Sequence, residues 1–181
     1  MKNAAIFHGT SCTPESFWIP YIKKDLIKKG YDVWVPQLPL SDKPILTVWL
    51  DYVMSSIKIN NKSVLVGHSA GCPLIIGILE KIGVKIDKAI LVAGYYDLIN
   101  GKKDPMLKNT YKWDKIKNNV KNMFIINSDN DPWGCDDKQG RFLFDRVGGV
   151  QIILHGEGHM GSDKYNQSYK EFPLLSKLIN Y

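Results

Sequence analysis

Cysteine is scarce in this sequence, and its few copies are not arranged as a structural framework. Cys12, Cys72 and Cys135 are the three cysteines among 181 residues, and none belongs to a Cys-x-x-Cys pair. Disulfide-rich folds and zinc fingers need closely spaced sets of cysteine, or of cysteine and histidine. The sequence therefore predicts reduced, buried thiols, with neither a disulfide framework nor a metal site.

Long apolar runs are also lacking. The first three residues lead into an apolar run of about four residues, whereas the core of a signal peptide needs roughly 7–15 and a membrane span about 20. Internal repeats, low-complexity tracts and long linkers do not occur. We expect one domain over residues 1–181, located in the cytoplasm and without membrane association.

Charge of one sign is not concentrated anywhere in the chain. The net charge of +6 comes from lysines spread along the sequence, such as Lys23, Lys24, Lys28 and Lys29. Such spacing is typical of a solvated helix face, so nucleic-acid binding is not expected. The sequence contains no phosphate-binding P-loop and no Gly-x-Gly-x-x-Gly fingerprint, so no cofactor is predicted.

Short apolar runs alternate with segments of helical periodicity. This alternation predicts an α/β fold in which helices cover both faces of a mostly parallel sheet of about six strands. The predicted strands are 4–7, 31–35, 63–66, 88–92, 123–126 and 150–154. The predicted helices are a first one that begins at Pro14 and ends before Gly30, a second around 45–54, and others at 70–82, 139–147 and 172–179. Residues 94–120 are predicted to be irregular.

One strand ends in two reactive side chains between glycines. Residues 67–71 read Gly-His-Ser-Ala-Gly, directly after the apolar run of the third predicted strand and before a predicted helix. A nucleophile on a sharp strand-to-helix turn needs small neighbours, because the turn is tight and its backbone is strained. This context favours Ser69 as a nucleophile over an inert turn serine.

A serine nucleophile requires a histidine base and a carboxylate that orients the base. Two aspartates, Asp129 and Asp131, follow the fifth predicted strand. Asp131 lies deeper in its loop and precedes a proline that stiffens it, whereas Asp129 is suited to capping the turn. We favour Asp131 as the acid.

Two histidines follow the sixth predicted strand. His159 lies between glycine-rich turns that would bring it over Ser69, whereas His155 ends the strand and is more typical of a hydrogen-bonded structural histidine. We favour His159 as the base. His68, beside the nucleophile, is predicted to point to the opposite side and to pack as a structural partner.

Acyl transfer also needs hydrogen-bond donors for the developing oxyanion, and backbone N–H groups commonly serve. The Ala70 N–H at the start of the predicted helix is one candidate. The turn after the first strand supplies another, because Gly9 allows close approach and exposes the N–H of Thr10. An ordinary strand-ending turn is the alternative interpretation of this second site.

These motifs together resemble the α/β-hydrolases, and specifically the small serine hydrolases without a lid that are grouped with retinoblastoma-binding protein nine. The resemblance spans nearly the whole chain. It rests on His-Gly-Thr after the first strand, Gly-His-Ser-Ala-Gly-Cys at residues 67–72, Ser128 three residues before Asp131, and Gly-His at 158–159. Family members usually carry leucine where this chain has Ala70.

The resemblance implies a triad of Ser69, Asp131 and His159, oxyanion donors at Thr10 and Ala70, and a sheet in the order 2-1-3-4-5-6. It implies a serine hydrolase that cleaves a small-molecule ester, thioester or amide through an acyl-enzyme, without cofactor or metal. No Leu-x-Cys-x-Glu string occurs, so the sequence indicates no protein partner. A binding protein with a vestigial site on the same scaffold is the alternative, because fold does not fix function; a haloperoxidase-like enzyme is a third class.

Overall fold

A computed structural model describes residues 1–97 and 101–181, and its centre is a six-stranded sheet. The strands are β1 Asn3–Phe7, β2 Asp32–Trp34, β3 Val64–His68, β4 Ile86–Val92, β5 Val120–Ser128 and β6 Val150–Leu154. The order is β2-β1-β3-β4-β5-β6, and every neighbouring pair is parallel. The predicted order and the predicted single-domain α/β fold are confirmed.

Two groups of helices cover the sheet. The described residues form α1 Ile19–Lys28, α2 Leu46–Ser56, α3 Gly71–Lys81, α4 Trp113–Asn118, α5 Asp137–Val147 and α6 Pro173–Asn180. In the first group, α1 contacts α6. In the second group, α2 contacts α3, α3 contacts α4, and α4 contacts α5. No helix among the described residues has the length and apolar character needed to cross a membrane.

The register of the strands brings their carboxyl ends to one edge of the sheet. Phe7 is paired with Gly67, and His68 is paired with Val92. At the other side of the sheet Ser128 is paired with Leu154. The loops after β1, β3, β5 and β6, which contain every predicted site residue, therefore leave the sheet at the same edge.

Helix α1 begins later than predicted. It starts at Ile19 rather than at Pro14, because the preceding residues form a separate turn. In that turn Ser16 Oγ accepts a hydrogen bond from the Thr13 N–H at 3.0 Å. Phe17 then has a φ of +52°, which a right-handed helix does not allow. The predicted start was wrong because a local side-chain cap satisfies the backbone before the helix begins.

The segment predicted to be irregular contains a short helix. Helix α4 occupies Trp113–Asn118, six residues that are too few to show a helical period in the sequence. Residues 98–100 of the same segment lie outside the described residues. In its described part, the connection between β4 and β5 has no helix besides α4 and no room for a separate lid domain.

Candidate active site

Ser69 lies in a strained turn between β3 and α3. Its φ is +51°, in the left-handed region, and its N–H donates to the Val92 carbonyl at 2.9 Å. A Cβ atom at Gly67 would lie 2.7 Å from the carbonyl oxygen of Gly71, and one at Gly71 would overlap the carbonyl oxygen of Phe7. The two glycines are thus a steric requirement of the turn, which holds the serine side chain at the edge of the sheet.

The loop after β1 lies directly against this turn. A Cβ atom at Gly9 would be 3.0 Å from Ser69 Cβ and 3.5 Å from Ser69 Oγ. Neither the N–H of Thr10 nor that of Ala70 donates a hydrogen bond within the described part of the protein. Ala70 also precedes α3, whose N-terminal dipole favours negative charge. Both N–H groups remain the predicted oxyanion donors.

His159 and Asp131 form a buried hydrogen-bonded pair. His159 Nδ1 lies 2.7 Å from Asp131 Oδ2, and the Asp131 side chain is fully buried. The other carboxylate oxygen accepts a hydrogen bond from the Trp133 N–H at 2.8 Å. Because a carboxylate can only accept, Nδ1 donates the proton of this bond, and Nε2 is the ring nitrogen that Asp131 does not engage. The structure thus brings together the acid and the base that the sequence favoured.

The competing aspartate and histidine form a different pair. Asp129 Oδ2 lies 2.6 Å from His155 Nδ1, and the His155 side chain is 96% exposed. Asp129 also accepts a hydrogen bond from the Gly156 N–H at 2.9 Å, which lowers the pKa of its carboxyl. This pair links the surface turn after β5 to the surface turn after β6. It does not reach the buried pair of Asp131 and His159.

The described residues do not show the hydrogen bond between Ser69 and His159 that a catalytic triad would have. Ser69 and His159 line the same cavity, yet among the residues the structure describes no hydrogen bond joins Ser69 Oγ to the His159 ring. Catalytic hydrogen bonds of this kind often tighten only in the complex with substrate. The roles of Ser69, Asp131 and His159 therefore remain predictions, supported by their convergence on one cavity.

His68 supports His159 from beneath. Its ring lies 4.9 Å from the His159 ring, and its Nε2 is 2.9 Å from the His159 carbonyl oxygen. Complete burial, helped by the neighbouring His159, lowers the pKa of His68 to about 3. The ring also packs edge-to-face against Phe17 and Trp18. His68 is a packed partner, as predicted, and it also anchors the backbone of the base.

The cavity above Ser69, called here the active-site cavity, has a volume of about 510 Å³. Ser69, His159 and Thr10 line it together with Phe17, Tyr95, Trp133 and Cys135, and with the lysines 102, 103 and 164. Trp133 and these lysines were not predicted from the sequence. Only the position of Trp133 two residues after Asp131 was a signal for its place in the site.

Most aromatic residues of the segment 94–120 lie elsewhere. Tyr96 packs against Trp113 and stacks on Phe142, with ring centroids 4.9 and 4.6 Å apart. Tyr111 joins them, and the guanidinium of Arg146 lies over the Phe142 ring. These residues form a cluster between α4 and α5. Of the aromatic residues in this segment, Tyr95 lines the active-site cavity, whereas Tyr96, Tyr111 and Trp113 do not.

Asp131, Cys135 and His159 also form a group of possible metal ligands. One ligand atom from each lies within 4.8 Å of the others, and all three residues are buried. Burial, and after it the charge of Asp131, raise the pKa of the Cys135 thiol well above its ordinary value. Within this group, Asp131 Oδ2 and His159 Nδ1 are already hydrogen-bonded to each other.

The chain is similar to known proteins over almost its whole length. The family model described as Serine hydrolase matches residues 4–180. YdeN of Bacillus subtilis (strain 168) is 27% identical over 185 residues, covering 98% of this chain and 94% of YdeN. The crystal structure of the ydeN gene product superposes with a TM-score of 0.90 at 23% identity, covering 99% of this chain and 97% of that one.

More distant neighbours share the fold. Est1E from Butyrivibrio proteoclasticus, solved with ferulic acid, has a TM-score of 0.68 at 14% identity, covering 99% of this chain and 86% of Est1E. An esterase domain from Rhodothermus marinus has a TM-score of 0.63 at 13% identity, covering 99% and 87%. The family match and the shared architecture confirm the predicted superfamily: this chain belongs to the serine hydrolase family and has an α/β-hydrolase fold.

Proposed function

We propose that this serine hydrolase is a carboxylesterase-type enzyme acting on small acyl substrates, with Ser69, His159 and Asp131 as its triad. The observation that carries the proposal is the 2.7 Å hydrogen bond between His159 Nδ1 and Asp131 Oδ2, in the cavity that Ser69 also lines. The bond leaves His159 Nε2 as the base for the Ser69 hydroxyl.

The reaction would follow from these positions. His159 Nε2 takes the proton of Ser69 as Oγ attacks the substrate carbonyl carbon, and the N–H groups of Thr10 and Ala70 stabilise the oxyanion. The bond to the alcohol then breaks, and His159 gives its proton to the departing oxygen. Water attacks the acyl-enzyme, His159 accepts its proton, and that proton returns to Ser69 as the acid is released.

The esterase domain from Rhodothermus marinus shares this fold, which supports an ester as the substrate class. The cavity supports a small molecule, since its volume of about 510 Å³ lies within the usual range for small-molecule sites. In its described part, the segment between β4 and β5 adds no lid domain that would enclose a large lipid. Thioesters and amides would use the same steps with a different leaving group.

Labelling with a serine-directed fluorophosphonate, followed by peptide mass spectrometry, tests the nucleophile. The wild type and Ser11→Ala, a control on the same cavity wall, should carry the label on the Ser69 peptide. Ser69→Ala should carry none and should lose hydrolysis of 4-nitrophenyl butyrate. Label on another residue would overturn the assignment, and a wild type with neither label nor turnover would favour the binding-protein alternative.

A further inference from the structure

One ammonium group is fixed by aromatic rings on the wall of the active-site cavity. Lys164 Nζ lies 4.6 Å from the centroid of the Trp133 ring and 5.5 Å from that of Tyr165. The two rings pack edge-to-face with centroids 5.3 Å apart. Attraction between a cation and the faces of aromatic rings restricts the lysine without neutralising its charge.

Trp133 connects this ammonium to the proposed catalytic pair. Its backbone N–H donates to Asp131 Oδ1 at 2.8 Å, and its indole Nε1 donates to Ser162 Oγ at 3.1 Å. The indole ring also lies 6.4 Å from the ring of His159, measured between centroids. Two hydrogen bonds fix Trp133 near Asp131 and His159, and Lys164 lies over the ring of Trp133.

The positive charge of the cavity wall is not paired. Within the described residues, no carboxylate oxygen lies within 4.0 Å of the ammonium of Lys102, Lys103 or Lys164. Lys103 instead donates to the neutral amide oxygen of Asn109 at 2.5 Å. Three unneutralised cations therefore line one cavity of a protein that is itself positively charged.

The carboxylates of Asp104 and Asp163 line the same cavity, and each interacts with groups other than the lysines. Asp104 accepts a hydrogen bond from the Met106 N–H at 2.7 Å, and its charge helps burial to raise the pKa of the Tyr95 phenol. Asp163 lies near Cys12, and its charge adds to the effect of burial in raising the pKa of that thiol. Among the described residues, neither carboxylate forms an ion pair within 4.0 Å of Lys164, and the three lysines outnumber the two aspartates at the cavity wall.

We propose that the active-site cavity selects substrates bearing a carboxylate on the acyl chain, remote from the scissile carbonyl, and that Lys164 is the main group that recognises it. The inference rests on the proposed esterase function and adds the charge of the substrate. A carboxylate that reaches Lys164 would pair with an ammonium already ordered by two rings, so little side-chain freedom is lost on binding.

Two esters that differ only in a terminal carboxylate provide the test: 4-nitrophenyl hexanoate and the 4-nitrophenyl monoester of adipic acid. The readout is the ratio of their kcat/KM values, adipate over hexanoate. Lys164→Met should lower this ratio about fivefold, the effect of one partly exposed ion pair. Lys164→Arg should retain most of it, since the guanidinium also stacks on indole.

Lys62→Met is the matched control, because Lys62 is exposed in the turn before β3, at the opposite edge of the sheet. It should leave the ratio unchanged. Added salt should lower the wild-type ratio and leave that of Lys164→Met nearly constant. A ratio that is the same in Lys164→Met and wild type would overturn this inference while leaving the esterase intact. A wild type that hydrolyses neither ester would overturn both proposals.

Discussion

Nε2 of His68 lies 2.9 Å from the backbone carbonyl oxygen of His159, so the residue before Ser69 holds the backbone of His159. A carbonyl only accepts, and His68 Nε2 therefore carries a proton while Nδ1 does not. Nδ1 has no hydrogen-bond partner in the part of the chain that is described. His68 is thus neutral, buried and committed to one hydrogen bond.

His68 should make the folded state sensitive to acid. Burial lowers its pKa from 6.5 to about 3, so between these values the unfolded state binds more protons than the folded state. The stabilisation is complete above pH 6.5 and is lost as the pH falls towards 3, by about 1.4 kcal/mol per pH unit for one site. His68→Gln keeps a donor without this titration, and its unfolding free energy should depend less on pH in that range.

Urea unfolding between pH 3 and 7 measures this dependence. His155→Gln is the control, because Asp129 raises the pKa of His155, whose contribution is present in acid and is lost as the pH rises. Replacing His155 should therefore not reduce the loss of unfolding free energy as the pH falls. If wild type and His68→Gln lose the same unfolding free energy as the pH falls, other groups dominate the acid sensitivity.

The two aspartates after β5 should differ in their effect on turnover. Asp131→Asn replaces the acceptor of the His159 Nδ1–H with an amide that also offers a donor, so the base loses its tautomer and orientation. In serine hydrolases with this arrangement kcat drops by about 10⁴. Asp129→Asn affects the exposed pair with His155 and the hydrogen bond from the Gly156 N–H, and it should change kcat by less than about twofold. The kcat for 4-nitrophenyl butyrate decides between them, and a large loss in Asp129→Asn would contradict the assignment.

Local rules were sufficient for the turn around Ser69, whereas the strand order was predicted from the resemblance to the α/β-hydrolases. Glycines at 67 and 71 are fixed by contacts within a few residues or with the neighbouring strand, so the sequence displays them directly. The late start of α1 depends on a side-chain cap and on the positive φ of Phe17. Periodicity does not detect such features, because the apolar residues before the helix continue its pattern.

Long-range loop packing was not predictable in the same way. Tyr95 and Tyr96 are adjacent in sequence, yet Tyr95 lines the active-site cavity and Tyr96 stacks on Phe142. Lys164 reaches the cavity because Trp133, from the loop after β5, lies beneath its ammonium. Neither contact follows a local pattern, since each joins residues from loops that are distant along the chain.

Gly71 should not tolerate even one added methyl group. A Cβ atom there would overlap the backbone carbonyl oxygen of Phe7, which cannot rotate away as a side chain could. Gly71→Ala should lower the free energy of unfolding by about 1–3 kcal/mol or more and displace Ser69, with loss of hydrolysis. Gly83→Ala is the matched control, since a Cβ atom at Gly83 meets no atom within 4 Å. Chemical denaturation of both variants measures the difference, and equal stabilities would contradict the steric explanation.

The rate should depend on the length of the acyl chain, because the cavity can bury only a limited number of methylenes. Each methylene contributes about 0.8 kcal/mol only if it becomes buried, and Phe17, Tyr95 and Trp133 provide the aromatic wall for this burial. A long neutral chain would also meet the ammonium groups of the cavity wall, such as that of Lys164, and would displace their water without replacing its hydrogen bonds. We therefore predict that kcat/KM is higher for acetyl to butyryl esters than for octanoyl or longer neutral esters. A series of 4-nitrophenyl esters measures this, and a steady rise to octanoyl would indicate a deep apolar tunnel instead of the lysine-lined cavity.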